Sequence, residues 1–177
     1  ADDTDITAPT YVSNTSSNFK VNAGSAVKLQ LLVPGETAVP GSTSTGKTGS
    51  VSTQTVGTQF AVTVNLTDNN WNKITNPAPN PEVLVTTTDT TDVHPLQAPL
   101  SSGTRTFNVK FQQAGSWTIT ASDNDGDSVT YVVYTSPSIT TNVGSAVKLQ
   151  IIAPGETSAP GFTSSTGITG SATAQVA

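Results

Sequence analysis

Apolar and polar residues alternate with a period of two along much of the chain. In the segment 60–67, Phe60, Val62 and Val64 share one face while Thr63 and Asn65 share the other. This alternation is typical of a β-strand with one buried face. The same pattern predicts strands at 27–31, 82–88, 106–111, 117–121 and 128–134. Glycine and proline break nearly every window long enough for an amphipathic helix, so we predict an all-β chain.

The chain also repeats itself at an interval of about 120 residues, too long for a solenoid unit. "SAVKLQLLVPGET" begins at Ser25 and "SAVKLQIIAPGET" begins at Ser145, and residues 22–43 match residues 142–163 at 15 of 22 positions. This period fits an independent domain of about 100 residues plus a linker. We therefore predict the end of one repeat in residues 1–22, a complete repeat in 23–142 and the start of the next in 143–177. The segment 136–144 is the predicted linker.

Six or seven short strands in one repeat predict an immunoglobulin-like β-sandwich. The segments "GTQFAVTVNLTDNNWN", "GTRTFNVKFQQAGSWTITASD" and "SPSITTNVGSAVKLQ" follow "SAVKLQLLVPGET" in order. This layout resembles the bacterial Ig-like repeats, invasin-like and filamin-like, of large secreted surface proteins. The resemblance implies one complete repeat flanked by partial repeats. The family includes adhesins, stalks and assembly modules, so the resemblance predicts a fold more sharply than a function.

Composition narrows the classes of function. The chain carries seven Lys and Arg against twelve Asp and Glu, scattered along its length, so the basic patch of a nucleic-acid binder is missing. No apolar run has the length of a membrane-spanning helix. The chain has no Cys, but 32 Thr and 20 Ser, a composition that suits an exported surface protein. His94, the one histidine, is expected in a surface loop, and no nucleophile, base and carboxylate form a recognisable set. We expect no enzyme.

Two acidic segments suggest a calcium site. In an immunoglobulin-like sandwich, the loops after the second and sixth strands emerge at the same end. Oxygen-bearing side chains at alternate positions suit calcium, although Asp, Asn and Gly also simply form turns. The candidate ligands are Asp68, Asn70, Asn72, Asp123, Asp125 and Asp127.

Other residues suggest contacts with sugars. Trp71 lies in a loop that we expect to be exposed, where its ring could stack on a glycan, with Tyr11 or Tyr131 as further platforms. Asn14 and Asn65 begin formal N-glycosylation sequons.

The leading hypothesis is a non-enzymatic structural module of an extracellular array: a stalk, an adhesin arm or a fibre. Its partners are neighbouring copies of the same repeat, either in one longer chain or joined by β-strand complementation between subunits. The alternative is a carbohydrate-binding or adhesive module that recognises surface glycans.

Overall fold

The computed structural model describes residues 4, 11–92, 97–161 and 167–175. Within these residues the chain has strands and turns but no helix, which confirms the predicted all-β class. His94 lies outside the described residues. The strands are β1 (Lys28–Leu32), β2 (Glu36–Ala38), β3 (Lys47–Gly49), β4 (Gln54–Thr55), β5 (Phe60–Thr67), β6 (Glu82–Thr87), β7 (Ala98–Pro99), β8 (Thr104–Val109), β9 (Gly115–Trp117), β10 (Ile119–Asp123), β11 (Tyr134–Thr135), β12 (Ile139–Asn142), β13 (Glu156–Ser158) and β14 (Ile168–Gly170).

Two sheets pack around one hydrophobic core and form a β-sandwich. The first has the strand order β1–β5–β8 and the second has the order β11–β10–β6–β7, with all neighbours antiparallel. Alternate residues of each strand point into the core, as the hydrophobic pattern predicts. The buried core consists of Leu29, Leu31, Val33, Phe60, Val62, Val64, Leu66, Val83, Val85, Leu100, Phe107, Val109, Phe111, Ile119, Ala121, Tyr131 and Ile139.

A third sheet corrects the predicted linker. Strand β12 pairs antiparallel with β9 and parallel with β4, and its Ile139 is fully buried. Residues 139–142 therefore belong to the sandwich and do not join two domains. The strand predicted at 128–134 is present only in its second half, where Val132 forms a parallel bridge with Lys28 and Tyr134 begins β11. Ser136 bridges the interruption between β11 and β12: its backbone N–H donates to the carbonyl oxygen of Ile119, and its hydroxyl accepts from the Ile119 N–H.

The hairpin of β2 and β3 covers the outer face of the first sheet. The side-chain amide of Gln30 donates to the backbone oxygen of Gly46 at 2.7 Å, and the Asn65 amide donates to Gln30 at 3.1 Å. Thr104 completes this chain of bonds by donating to the Asn65 side chain at 2.7 Å. Gln30, Asn65 and Thr67 are buried as a result. The sequence pattern assigned Asn65 to a polar outer face but gave no sign that a further layer covers that face.

The segments before and after the sandwich lack strand pairing. Residues 11–22 and 143–153 contain no strand, and most of their large apolar side chains are exposed. No helix in the described part of the chain is long and apolar enough to cross a membrane.

Candidate assembly site

An apolar segment and the hairpin that follows it occur twice in this chain; the segment forms β1 in the first copy and lies outside any strand in the second. We call residues 25–52 the first element and residues 145–173 the second element. In both, the hairpin has the same register: Glu36 lies opposite Gly49, and Glu156 lies opposite Gly170. The near-identical sequences therefore fold into near-identical hairpins.

Local hydrogen bonds hold the two elements in the same shape. Gln30 donates to the oxygen of Gly46 at 2.7 Å, and Gln150 donates to that of Gly167 at 2.9 Å. The carboxylate of Glu36 accepts the N–H of Val33, as the carboxylate of Glu156 accepts the N–H of Ala153. After each hairpin a backbone N–H donates back to the proline carbonyl: Ser52 donates to Pro34, and Thr173 donates to Pro154. Because the second element keeps these bonds outside any sandwich, its shape is set by its own sequence.

Two glycines make the turn before each hairpin possible. Gly35 has φ +93°, and a Cβ there would lie 2.0 Å from the backbone oxygen of Ser50. Gly155 has φ +91°, and its Cβ would lie 2.5 Å from the oxygen of Ser171. Only glycine combines a left-handed backbone with so close an approach. The "PGET" sequence is therefore a structural requirement of the element.

The two elements differ in what covers their apolar face. Leu29 and Leu31 of the first element are 0% exposed, because β5 and the core pack against them. Their counterparts in the second element, Leu149 and Ile151, are 99% and 87% exposed. A groove of about 700 Å³ lies between this exposed segment and the hairpin of β13 and β14. The apolar face of the second element is thus exposed, whereas that of the first is buried.

The segment 11–22 shows the same contrast at the other end of the chain. Counted back by one repeat, Phe19 and Val21 correspond to Ile139 and Thr141 of β12. Ile139 and Thr141 are buried in the sandwich, whereas Phe19 and Val21 are each 82% exposed.

Trp71 is buried, contrary to the expectation of an exposed loop aromatic. It is 9% exposed, and its indole N–H donates to the backbone oxygen of Ser44 in the loop between β2 and β3. Its ring packs edge-on against Tyr134, with centroids 5.9 Å apart, and the ammonium of Lys28 lies 3.6 Å from its centroid. The side chain therefore fastens the first element to the sandwich. Glycan stacking on Trp71 stays a prediction without an exposed ring to favour it.

An ion pair joins the same cluster. The ammonium of Lys47 lies 2.7 Å from the carboxylate of Glu36, with both side chains nearly buried, and 4.7 Å from the Tyr134 ring centroid. The second element has Ile168 at the position of Lys47. Gln30, Gly46 and Lys47 are positioning residues that the hydrophobic pattern of the sequence does not single out. The recurrence of Gln150 and Gly167 was a signal for the first two.

The proposed calcium ligands lie in two loops, one after β5 and one after β10. The Asp68 carboxylate accepts the backbone N–H groups of Asn70 and Asn72 in its own loop and of Gly24 before β1, at 2.8–2.9 Å. Burial alone would raise the pKa of Asp68, but these hydrogen bonds and one from the Asn72 side chain outweigh it, so the pKa is lowered. The turn formed by Asp68 and Asn72 thus supplies the Asp68 carboxylate with protein hydrogen-bond donors.

The other loop lies after β10. Asp123 accepts the Tyr131 N–H at 3.2 Å, and its Oδ1 is buried without a hydrogen bond of normal geometry among the described residues. Burial raises the pKa of Asp123; Asp125 and Asp127 raise it further and outweigh the hydrogen bond from Tyr131. In the described part of the chain, no three acidic, histidine or cysteine side chains converge as metal ligands would.

Calcium binding across the two loops stays a prediction. If calcium binds there, the midpoint of thermal unfolding should be higher in millimolar calcium than in a chelator. The Asp125→Asn variant should not show this increase. Asp92→Asn, outside both loops, is the matched control and should keep the full calcium response. An identical midpoint with calcium and with chelator would remove the calcium hypothesis.

The two sequons differ in accessibility. Asn14 lies in the exposed segment 11–22. Asn65 is 8% exposed, and its amide nitrogen donates to Gln30 inside the folded structure. Glycosylation of Asn65 stays a prediction that the folded chain does not favour, because a glycan on that nitrogen would displace the hairpin.

A buried carboxylate outside the predicted sites joins two loops at one end of the sandwich. Asp89 accepts backbone N–H groups from Thr91 at 3.0 Å, Gln112 at 2.8 Å and Gln113 at 3.1 Å, and also the Thr91 hydroxyl at 2.8 Å. Burial would raise the pKa of Asp89, but these hydrogen bonds hold it below its ordinary value of 3.8.

Asp89→Asn is expected to lower the free energy of unfolding at pH 7 by about 2 kcal/mol, because the amide cannot accept all of these donors. The folded pKa lies below the unfolded one, so the stabilisation is present above about pH 4 and is lost as the pH falls through the folded pKa. Urea unfolding at several pH values should show the difference between variant and parent narrowing below about pH 4. Asp123→Asn is the contrasting control, since its raised pKa predicts a stability gain at pH 7 that shrinks on acidification. A pH-independent difference for Asp89→Asn would contradict the assignment.

In comparisons with known proteins, no family model matches this chain and no curated protein sequence matches it, so its function has to be argued from its own residues.

Proposed function

We propose that this chain is a non-enzymatic structural module of an extracellular tandem-repeat or filament-forming surface protein, such as a stalk, an adhesin arm or a fibre. Its partners are neighbouring copies of the same repeat. One observation carries the proposal: the second element has the same hairpin as the first, yet its apolar residues Leu149 and Ile151 are exposed.

The energetics favour covering these residues. Burying a Leu or Ile side chain that is otherwise exposed stabilises by about 2 kcal/mol. Leu149 and Ile151 thus supply roughly 4 kcal/mol to whichever sheet receives them. Chains also join a sheet edge through their backbone hydrogen-bonding groups. The gain from covering Leu149 and Ile151 therefore gives residues 145–153 a hydrophobic reason to join a sheet.

The arrangement of strands supports an immunoglobulin-like repeat. The sheet β1–β5–β8 faces the sheet β11–β10–β6–β7, and β12 runs parallel to the short strand β4. In this interpretation the second element is the first part of the next sandwich, and residues 11–22 are the last strand of the preceding one. The Thr- and Ser-rich, Cys-free composition fits an extracellular location.

The second element also touches the sandwich that precedes it. A Cβ on Gly161 would lie 2.4 Å from the Cγ of Gln113 and from the hydroxyl oxygen of Thr91, so the backbone of the second hairpin lies directly against these loops. Such a contact limits bending between successive repeats, which suits a module that transmits force or holds a fixed length.

Electron cryo-microscopy of the native assembled material tests the proposal. We expect a regular string of sandwiches in which residues 147–152 form a strand within a neighbouring sheet. Leu149→Asp combined with Ile151→Asp should abolish this order, whereas Gln175→Asp, at an exposed position just after the second element, should leave it intact. Isolated particles with residues 147–152 unpaired in the native material would overturn the proposal.

A further inference from the structure

The surface that forms an open groove in the second element is covered in the first element by other parts of the sandwich. In the first element, β5 lies along β1, with Gln30 opposite Asn65 and Leu31 opposite Val64. The ring of Trp71 packs on Gly46, where a Cβ would lie 2.1 Å from the Trp71 Cγ. At Gly167 of the second element, the nearest atom to such a Cβ is the amide nitrogen of its own Gln150, at 3.3 Å. The surface that Trp71 covers in one copy is therefore open in the other.

We propose that this groove accepts β5 and the Trp71 loop of a second copy of this chain, in the place of that copy's own first element. The inference rests on the proposed function and specifies the partner surface that the second element recognises. In the exchanged arrangement Gln150 lies opposite Asn65 of the other copy, and Ile151 lies opposite Val64. The loop carrying Trp71 covers Gly167.

The residues on the groove match those contacts. Lys148, Leu149 and Gln150 are identical to Lys28, Leu29 and Gln30, and Ile151 replaces Leu31 with a side chain of the same volume. The Lys28 ammonium donates to the Asn69 oxygen at 2.8 Å and lies over Trp71, so Lys148 has the same acceptor and the same ring available. Exchange of an identical element between copies is an energetically inexpensive route to assembly.

A short tether holds the second element near its own sandwich. Six residues lead from Asn142, the last residue of β12, to Lys148, and they span at most about 21 Å when fully extended. In the same molecule β5 is already paired with β1. The exchange that we propose therefore joins two molecules.

One difference between the elements favours the native occupant. Lys47 forms an ion pair with Glu36 and lies against Tyr134, whereas Ile168 cannot make either contact. Each exchange also buries the second element of one copy but releases the first element of the other copy. The unaltered chain consequently keeps its own first element for most of the time. Weakening that element transfers the site to a second copy.

A four-residue comparison tests this. Leu29→Ala with Leu31→Ala should raise the oligomeric fraction several-fold over the unaltered chain, measured by size-exclusion chromatography with light scattering at several concentrations. Adding Leu149→Ala and Ile151→Ala should return it to the unaltered level. A folded double variant that stays monomeric, or oligomers that persist in the quadruple variant, would overturn the proposal.

A second experiment leaves the core intact, in case the double variant fails to fold. Thr63 lies opposite Leu32, the counterpart of Ile152, and the chain has no cysteine of its own. A chain with Thr63→Cys mixed with a chain with Ile152→Cys should give an intermolecular disulfide on slow oxidation. In the control, a chain with Asn108→Cys on β8 is mixed with the chain with Ile152→Cys. Preferential bonding to Asn108→Cys would show that β8 receives the strand by edge addition and would overturn the exchange.

These outcomes are separable from those of the native assembly. Regular native strings without exchange would leave the proposed function standing and remove only this partner surface. Exchange in solution without a regular native assembly would remove the proposed function and leave the partner surface established.

Discussion

Gly46→Ala is expected to lower the free energy of unfolding by about 3 kcal/mol, whereas Gly167→Ala is expected to leave the sandwich as stable as before. Gly46 has φ +71°, a backbone conformation that costs a residue with a Cβ about 1–2 kcal/mol. The added methyl group would also lie 2.1 Å from the Trp71 ring, and such overpacking costs a further 1–3 kcal/mol. The two penalties act at one position.

The consequences of Gly46→Ala extend beyond its own loop. To accept the methyl group, Trp71 has to move away from Ser44, Tyr134 and Lys28, which are its contacts in the folded sandwich. We therefore expect a thermal midpoint lower by roughly 10 °C, together with a red shift of tryptophan emission. Calorimetry and fluorescence on the same samples measure both.

Gly167→Ala is a close control for that experiment. Gly167 has φ +63°, so the backbone strain is similar, but the methyl group meets no ring, and its nearest neighbours are the Gln150 amide nitrogen at 3.3 Å and the Ala159 backbone oxygen at 3.9 Å. Any cost falls on the second element and not on the sandwich. Equal losses of midpoint for Gly46→Ala and Gly167→Ala would show that backbone strain alone matters and that Trp71 does not hold the first element.

The sequence predicted the fold class because the sandwich core follows local alternation. Val62, Val64 and Phe107 occupy the inward positions of strands that the period-two pattern had located. The repeat boundaries came from self-comparison. The element 145–173 was recognisable for the same reason, since its hairpin is set by "PGET" and by bonds within about twenty residues.

What the sequence could not predict depends on contacts between distant segments. Asn65 alternates as an outward residue, yet it is buried because the β2–β3 hairpin folds back over it. Trp71 follows an Asp-Asn-Asn turn that indicates an exposed loop, yet the same hairpin covers it. Residues 136–144 have the Pro, Ser and Gly content of a linker, whereas strand pairing and the burial of Ile139 make residues 139–142 part of the sandwich. A covering layer leaves no periodic signal in the strand that it covers.

The same truncation at equivalent positions of the two elements is expected to give very different effects. Leu31→Ala should cost about 3 kcal/mol of unfolding free energy, because it leaves a cavity in a close-packed core. Ile151→Ala should change the free energy by less than about 0.5 kcal/mol in dilute solution, since that side chain is 87% exposed. Urea unfolding of both variants at low micromolar concentration measures the contrast.

The dependence of stability on protein concentration then shows whether a second molecule covers Ile151. Leu31 is buried within its own molecule, so the effect of Leu31→Ala should not depend on concentration. If a second molecule covers Ile151, stability becomes linked to association, and Ile151→Ala should lose that linkage as the concentration rises. A large, concentration-independent cost of Ile151→Ala would mean that Ile151 is buried within its own chain, contrary to the exposed segment on which the assembly proposal depends.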